Sequence, residues 1–354
     1  MGKQYIVNAK LGKIDFSDCE PFIDGITLLR IPGGTIAMQF LRHHYKDEEV
    51  DALVAFQNLH GCQCIYVVNG NDTPQNQDDI IKYLKGRGVK FVKIEIFNEV
   101  YLQKFRFGDT SKPEVTKTIT PQIYTADAEL FITALAHHNL PFYVCAAHHQ
   151  STGIGHDAYK QNWNVVIKAW ADNRNDIAGV TFHQYVGREA DDSDLSISNF
   201  DYLNDFSDYQ ILITECGSYS TNIQDHYDFW TAFSSALKPN DIFGIHVLWH
   251  KTPGHHHALY TSAGISQIGI KFQEFVSDNV VVEPPAPPPP PPPPPKPVVV
   301  ITEIRFTINL RGKQMVFFSD GTFVWTPWLW SWEQLGQDLV GQDREVLKTL
   351  MKKK

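Results

Sequence analysis

Apolar runs of strand length alternate with stretches of helical periodicity from residue 4 to about 277, and few folds accept that pattern. The strands are read as Gln4–Asn8, Gly25–Arg30, Cys64–Asn69, Lys90–Asn98, Pro141–Ala147, Gly179–Tyr185, Gln210–Glu215 and Ile242–Trp249. Helical spacing runs through Glu48–Leu59, Asn76–Lys85, Ala126–His138, Tyr159–Ala171, Gln224–Leu237 and Ile265–Val276. The return to the second strand and the stretch Asp201–Ser207 carry the pattern least clearly. Strands that are apolar nearly throughout suit a parallel sheet covered on both faces. A (β/α)8 barrel of ordinary size fits this series, and a doubly wound open sheet gives the same alternation. No glycine-rich phosphate fingerprint follows the first strand, which tells against the nucleotide-binding version of the open sheet.

A barrel places its chemistry at the C-terminal ends of the strands. Those ends here are Arg30, Asn69, Asn98 with Glu99, His148 with His149, His183 and Tyr185, Glu215, and Trp249 with His250. Strand ends are generally more polar than strand middles. That tendency does not account for an Asn-Glu pair on one strand and a glutamate closing another. Two carboxyl groups about 5 Å apart are what retaining glycoside hydrolysis requires, one protonating the departing oxygen and one attacking the anomeric carbon. Strands four and seven stand on opposite sides of a barrel mouth, so Glu99 and Glu215 can face each other. Asn98 is then placed to hydrogen-bond the sugar 2-hydroxyl.

With these residues in order, the chain resembles the large clan of retaining (β/α)8-barrel glycoside hydrolases, marked by Asn-Glu after strand four and Glu after strand seven. Leu29-Arg30-Ile31-Pro32-Gly33-Gly34-Thr35 is similar to a segment after strand two in the arabinofuranosidase, xylosidase and β-glucuronidase (heparanase-like) branches. Val67-Val68-Asn69, Ile94–Tyr101 and Phe182-His183-Gln184-Tyr185 resemble the ends of strands three, four and six in the same branches. The resemblance implies Glu99 as acid/base and Glu215 as nucleophile. It implies that Arg30 and Tyr185 orient Glu215 and keep it ionised, with Asn98 and His183 assisting. Asn69 falls among the substrate-binding positions, and Trp249 stands where the clan often places an aromatic floor for the sugar. It implies a carbohydrate substrate, no cofactor and no metal. Two features depart from the clan. The related branches usually carry a β-sandwich built from segments before and after the barrel, whereas here a few residues precede strand one and a proline run follows the last helix. Phe97 replaces the small residue that commonly precedes Asn-Glu, which is expected to reshape the floor beside the sugar.

Other classes are less well served. A formal net charge of −9 does not suit a general nucleic-acid binder. Five cysteines, Cys62 and Cys64 as a C-x-C among them, form no disulfide framework and read as buried thiols. His148, His149, His250 and His255–His257 invite a metal, but a zinc site needs converging ligands and a supporting shell, and the His-His-His run reads as a solvated loop. Met1–Ile6 lacks the apolar core of a signal peptide and no stretch has the length of a membrane span, so a cytoplasmic or particle-associated location is expected by default. The competing functional class is a catalytically silent carbohydrate-binding or structural component that keeps the barrel.

Composition changes abruptly after the last helix. We read residues 1–280 as the catalytic barrel, 281–297 as a proline-rich linker, and 298–354 as a small tryptophan-rich α+β module. The proline run suits a stiff polyproline II spacer of about 3 Å per residue. In the module, Ile301–Leu310, Lys313–Phe318 and Phe323–Trp325 read as strands, with a turn at Ser319–Thr322, and Glu333–Met351 as a helix. Trp325, Trp328, Trp330 and Trp332 serve either as the core of so small a module or as a surface for a protein or glycan partner.

Overall fold

The computed structural model describes residues 4–11, 13–102, 119–149, 157–186, 200–245 and 247–279, and the backbone of 304–310, 313–318 and 323–327. The chain divides into two compact units, Met1–Glu283 and Pro284–Lys354.

The first unit is a (β/α)8 barrel. Its strands are β1 (Tyr5–Asn8), β2 (Ile26–Ile31), β3 (Gln63–Val67), β4 (Phe91–Ile96), β5 (Phe142–Cys145), β6 (Ile177–Val186), β7 (Gln210–Ser218) and β8 (Phe243–Ile245). They form one sheet in the order β7-β6-β5-β4-β3-β2-β1-β8, every pairing parallel. The circle closes where Ile213 N–H donates to Ile242 O at 2.8 Å and Ile242 N–H donates to Ile211 O at 2.9 Å. The open-sheet alternative is thereby ruled out.

The outer layer carries α1 (Asp47–His60), α2 (Pro74–Gly86), α3 (Pro121–Leu135), α4 (Ala158–Ala171), α5 (Ile223–Ala236) and α6 (Gln267–Asn279). Local chemistry explains where they begin. Thr73, Thr120, Asp157 and Asn222 each accept a backbone N–H from the first turn of α2, α3, α4 and α5, and Pro74 and Pro121 occupy the first helical position, where no N–H is needed. Between β1 and β2, and again between β6 and β7, the described residues form 3-10 turns, Phe16–Cys19 and Asp201–Phe206. The two weakest helical patterns of the sequence fall there.

Strand alternation divides the interior into two cores. One small cluster, Ile6, Leu28, Ile65, Tyr143, Leu212 and Ile242, fills the barrel, while the large cluster lies between strands and helices. Two residues along from Ile6 and Leu28, on the same faces of β1 and β2, stand Asn8 and Arg30. An apolar plug therefore floors a polar layer toward the strand C-termini.

The expected eighth strand, Ile242–Trp249, is two pieces. After β8, the segment β9 (Val247–His250) leaves the barrel to pair with β10 (Ala258–Thr261), which also pairs with β11 (Gly264–Ile265). In the second unit β12 (Ile304–Leu310), β13 (Lys313–Phe318) and β14 (Phe323–Pro327) form a three-stranded antiparallel sheet in sequence order. Trp325 lies in β14, while the proline run, the turn at Ser319–Thr322, the helix Glu333–Met351 and Trp328, Trp330 and Trp332 lie outside the described residues. No helix among the described residues is long and apolar enough to cross a membrane.

Candidate active site

Arg30, near the end of β2, organises the polar layer. Its side chain is fully buried, and each of its five N–H groups has an acceptor. Nε donates to Glu95 Oε2 at 2.5 Å and Nη2 to Glu95 Oε1 at 2.8 Å, a bidentate pair. Nη2 also donates to Asn98 Oδ1 at 2.7 Å, while Nη1 donates to Glu215 Oε1 at 2.7 Å and to Asn8 Oδ1 at 3.0 Å. A guanidinium so enclosed cannot release its proton, and the carboxylates of Glu95 and Glu215 push its pKa up against the cost of burial.

Glu215 sits within β7, opposite His183 of β6 in the strand register. Its second oxygen, Oε2, accepts the Tyr185 hydroxyl at 2.8 Å. Burial raises the Tyr185 pKa well above that of an ordinary phenol, and the nearby Glu215 and Glu99 charges add to it, so Tyr185 remains a donor. Both oxygens of Glu215 are thus held by donors, one of them a cation. Lys10, just past β1, is close enough to interact with Glu215. Burial lowers its pKa, and the Glu215 charge partly restores it.

Glu99 and Asn98 leave β4 through an unusual backbone. Phe97 has φ +66° and Glu99 φ +46°, both in the left-handed region that side chains with a Cβ seldom enter. The chain turns sharply there and delivers two consecutive polar side chains to the same centre. The Phe97 ring, expected to reshape the floor beside the sugar, lies in the core between strands and helices. It is fully buried and packs edge-on against Tyr124 and Phe131 of α3, with centroids 5.7 and 5.1 Å away.

His183 lies between the two carboxylates. Its Nδ1 is 3.0 Å from Glu99 Oε1, outside good hydrogen-bond alignment, and 3.8 Å from Glu215 Oε2. Nε2 is 2.8 Å from Thr214 Oγ1. Burial alone would lower the His183 pKa, but the charges of Glu215 and Glu99 outweigh it and the net direction is up. One oxygen of Glu99, one ring nitrogen of His183 and one oxygen of Glu215 lie within 4.8 Å of one another.

Six of the eight residues singled out in the sequence therefore meet at one point: Arg30, Asn98, Glu99, His183, Tyr185 and Glu215. Two are held by other partners. Asn69 donates to Phe40 O at 3.0 Å and accepts the Asn71 N–H at 2.9 Å, ordering the loop after β3. The Trp249 indole N–H donates to Asp18 Oδ2 at 3.0 Å, which ties it to the turn between β1 and β2. The sequence reading missed Glu95, Asn8, Thr214 and Lys10. Glu95 had a signal: it is a carboxylate inside an apolar strand, two residues from Lys93 and so on the same face.

The Glu99, His183 and Glu215 triad has the residue types of a metal site, but Arg30 already neutralises Glu215 and His183 leans toward its protonated, non-ligating form. The other histidines considered do not converge. His148 Nδ1 faces the Tyr101 hydroxyl, His149 Nε2 faces Asp205, and His250 stacks on His255 at 4.0 Å. All five cysteines are buried and free.

No family model matches the chain, and no curated protein matches it. Among solved structures, the chain is similar to an exo-beta-1,3-glucanase from Aureobasidium namibiae (11% identity, TM-score 0.49, 77% of this chain and 96% of that one). It is also similar to an endo-1,4-beta-xylanase from Caldicellulosiruptor owensensis (13% identity, TM-score 0.48, 77% of this chain and 96% of that one). A third likeness is to a dihydrodipicolinate synthase from Bacillus clausii (13% identity, TM-score 0.37, 69% of this chain and 67% of that one).

Proposed function

We propose that the barrel is a retaining glycoside hydrolase in which Glu215 is the nucleophile and Glu99 the acid/base. The observation that carries this reading is the pair of buried carboxylates, from β4 and β7, with oxygens within 4.8 Å of each other. So close an approach falls on the short side of the roughly 5 Å of a double displacement and short of the roughly 6.5–9.5 Å of an inverting pair.

In the first step Glu215 attacks the anomeric carbon while Glu99 protonates the departing oxygen. Arg30 and Tyr185 hold the two Glu215 oxygens and favour the ionised form that attack needs. In the second step Glu99 takes a proton from water, and the resulting hydroxide equivalent releases the sugar from Glu215 with retention. The proton that Glu99 takes from water replaces the one given to the leaving group, and His183, 3.0 Å from Glu99 Oε1 and 3.8 Å from Glu215 Oε2, stands between the two carboxylates. The Glu215 carboxylate, held by Arg30 and Tyr185, faces the positive charge that develops on the sugar ring in the transition state.

The substrate is a carbohydrate in this reading, and the proline-rich segment and terminal module would tether or target the barrel. A panel of aryl α- and β-glycosides, with the first-formed anomer read by proton NMR, tests it. Wild type should release the retained anomer. Glu215→Ala should lose more than about 10³-fold in kcat, and added azide should restore turnover with an inverted glycosyl azide. An inverted product from wild type would overturn the nucleophile assignment. Absence of turnover on every glycoside, with binding retained on a glycan array, would favour the silent carbohydrate-binding component.

A further inference from the structure

Away from the barrel mouth, Asp78 of α2 meets His137 and His138, which end α3 in the 3-10 turn Ala136–His138. His138 Nε2 is 2.9 Å and His137 Nε2 3.1 Å from the same oxygen, Asp78 Oδ1, and one donor atom from each of the three lies within 4.8 Å of the others. Asp78 and His138 are buried, whereas the His137 side chain is 51% exposed.

The hydrogen bonds decide which atoms are available. His137 Nδ1 is 3.0 Å from Ala134 O, a carbonyl that can only accept, so the proton of a neutral His137 ring sits on Nδ1. Its Nε2 then presents a lone pair to a carboxylate oxygen, and two acceptors face each other at 3.1 Å. Only a cation between them, a proton or a metal, makes that contact favourable. Lys82 Nζ does not fill this role, because it sits 2.7 Å from the other oxygen, Oδ2. The Nδ1–H to carbonyl bond is also the supporting contact that orients metal-bound imidazoles elsewhere.

We infer that Asp78, His137 and His138 form a binding site for a borderline divalent cation such as zinc, clamping α2 to the end of α3. Two imidazoles and a carboxylate are a common zinc donor set. A tetrahedral ion with bonds of about 2.0–2.2 Å separates its ligand atoms by roughly 3.3 Å, close to the 3.1 and 2.9 Å of the His137 and His138 pairs with Asp78. The exposed edge of His137 provides the entry path, and water completes the coordination.

The test is titration of the metal-stripped full chain with zinc alone by calorimetry, and with cobalt(II) by visible absorption. The expected result is one site per chain, with affinity falling more than about tenfold in His137→Ala and in Asp78→Asn. A His255→Ala, His256→Ala double variant should bind as wild type does, separating this site from the histidine-rich loop. His137 is exposed, so its removal leaves folding intact, and the cobalt d–d bands should vanish in that variant alone among folded proteins with an intact Asp78. Equal zinc affinity and equal cobalt spectra in wild type and His137→Ala would overturn the inference, as would the absence of stoichiometric binding.

Discussion

Glu95 shows how one buried side chain can act on another through a shared partner. It occupies two of the five Arg30 donors, so the guanidinium is shared between Glu95 and Glu215. Glu95→Gln keeps the shape but turns an amide N–H toward Arg30. It should destabilise the protein by about 3 kcal/mol, as breaking one side of a buried ion pair does. It also removes a negative neighbour from Glu215, so the acidic limb of the pH–rate profile should move to lower pH. An unmoved limb would show that Glu95 acts on structure alone. His183 gives a second measurable handle. Its folded pKa is raised above the ordinary value of 6.5, so the stability it contributes is fully present below about pH 6.5 and is lost as pH climbs through the raised value. Urea midpoints for wild type should therefore exceed those of His183→Gln most at about pH 5.5, and the gap should narrow toward about pH 9. A gap that widens with pH would reverse the assignment.

At the scale of elements, the end of β4 decides whether the two carboxylates can meet. Glycine would remove the backbone strain at Phe97, of order 1 kcal/mol, but would empty a fully buried ring site between Tyr124 and Phe131, which costs roughly 3–5 kcal/mol. The cavity outweighs the strain. Phe97→Gly should be less stable than wild type by about 2–4 kcal/mol, and a higher melting temperature in that variant would show the left-handed turn to be the larger burden. The sequence showed much of this level. Apolar runs located all eight barrel strands, because a strand buried on both faces must be apolar throughout. It showed less where two signals compete. The apolar period placed the start of α3 at Ala126, whereas the Thr120-Pro121 cap begins it five residues earlier, at Pro121. The run Ile242–Trp249 reads as one strand although β9 departs to pair with β10, since periodicity records burial and not the partner. The same limit blurred Glu95: its spacing from Lys93 puts both on one face, but in a strand without alternation nothing local says whether that face points inward.

For the barrel as a whole, closure sets the distance across the mouth, and closure depends on two points where backbones approach too closely for any side chain. A Cβ on Gly244 of β8 would lie 2.5 Å from Ile213 O and 2.8 Å from Ile6 Cβ, on the seam that joins β7, β8 and β1. A Cβ on Gly179 of β6 would lie 2.2 Å from Gln210 O and 2.6 Å from the Tyr143 ring. The obstacles at Gly244 are backbone and a β-branched Cβ, so no rotamer change relieves them, and the strands must move apart. Gly244→Ala should cost about 1–3 kcal/mol by overpacking, read as a lower urea midpoint. Gly244 lies beside Ile6 in the apolar plug, one layer from Arg30 and the glutamates. If that plug only closes the barrel, turnover per folded molecule should survive the substitution while stability falls. A variant of normal stability but lost turnover would mean instead that the seam transmits its spacing to Glu215, two residues along β7 from Ile213. The same pair of measurements on Gly179→Ala, beside Tyr143 and the start of β7, then tells whether either seam is coupled to the carboxylates or both serve closure alone.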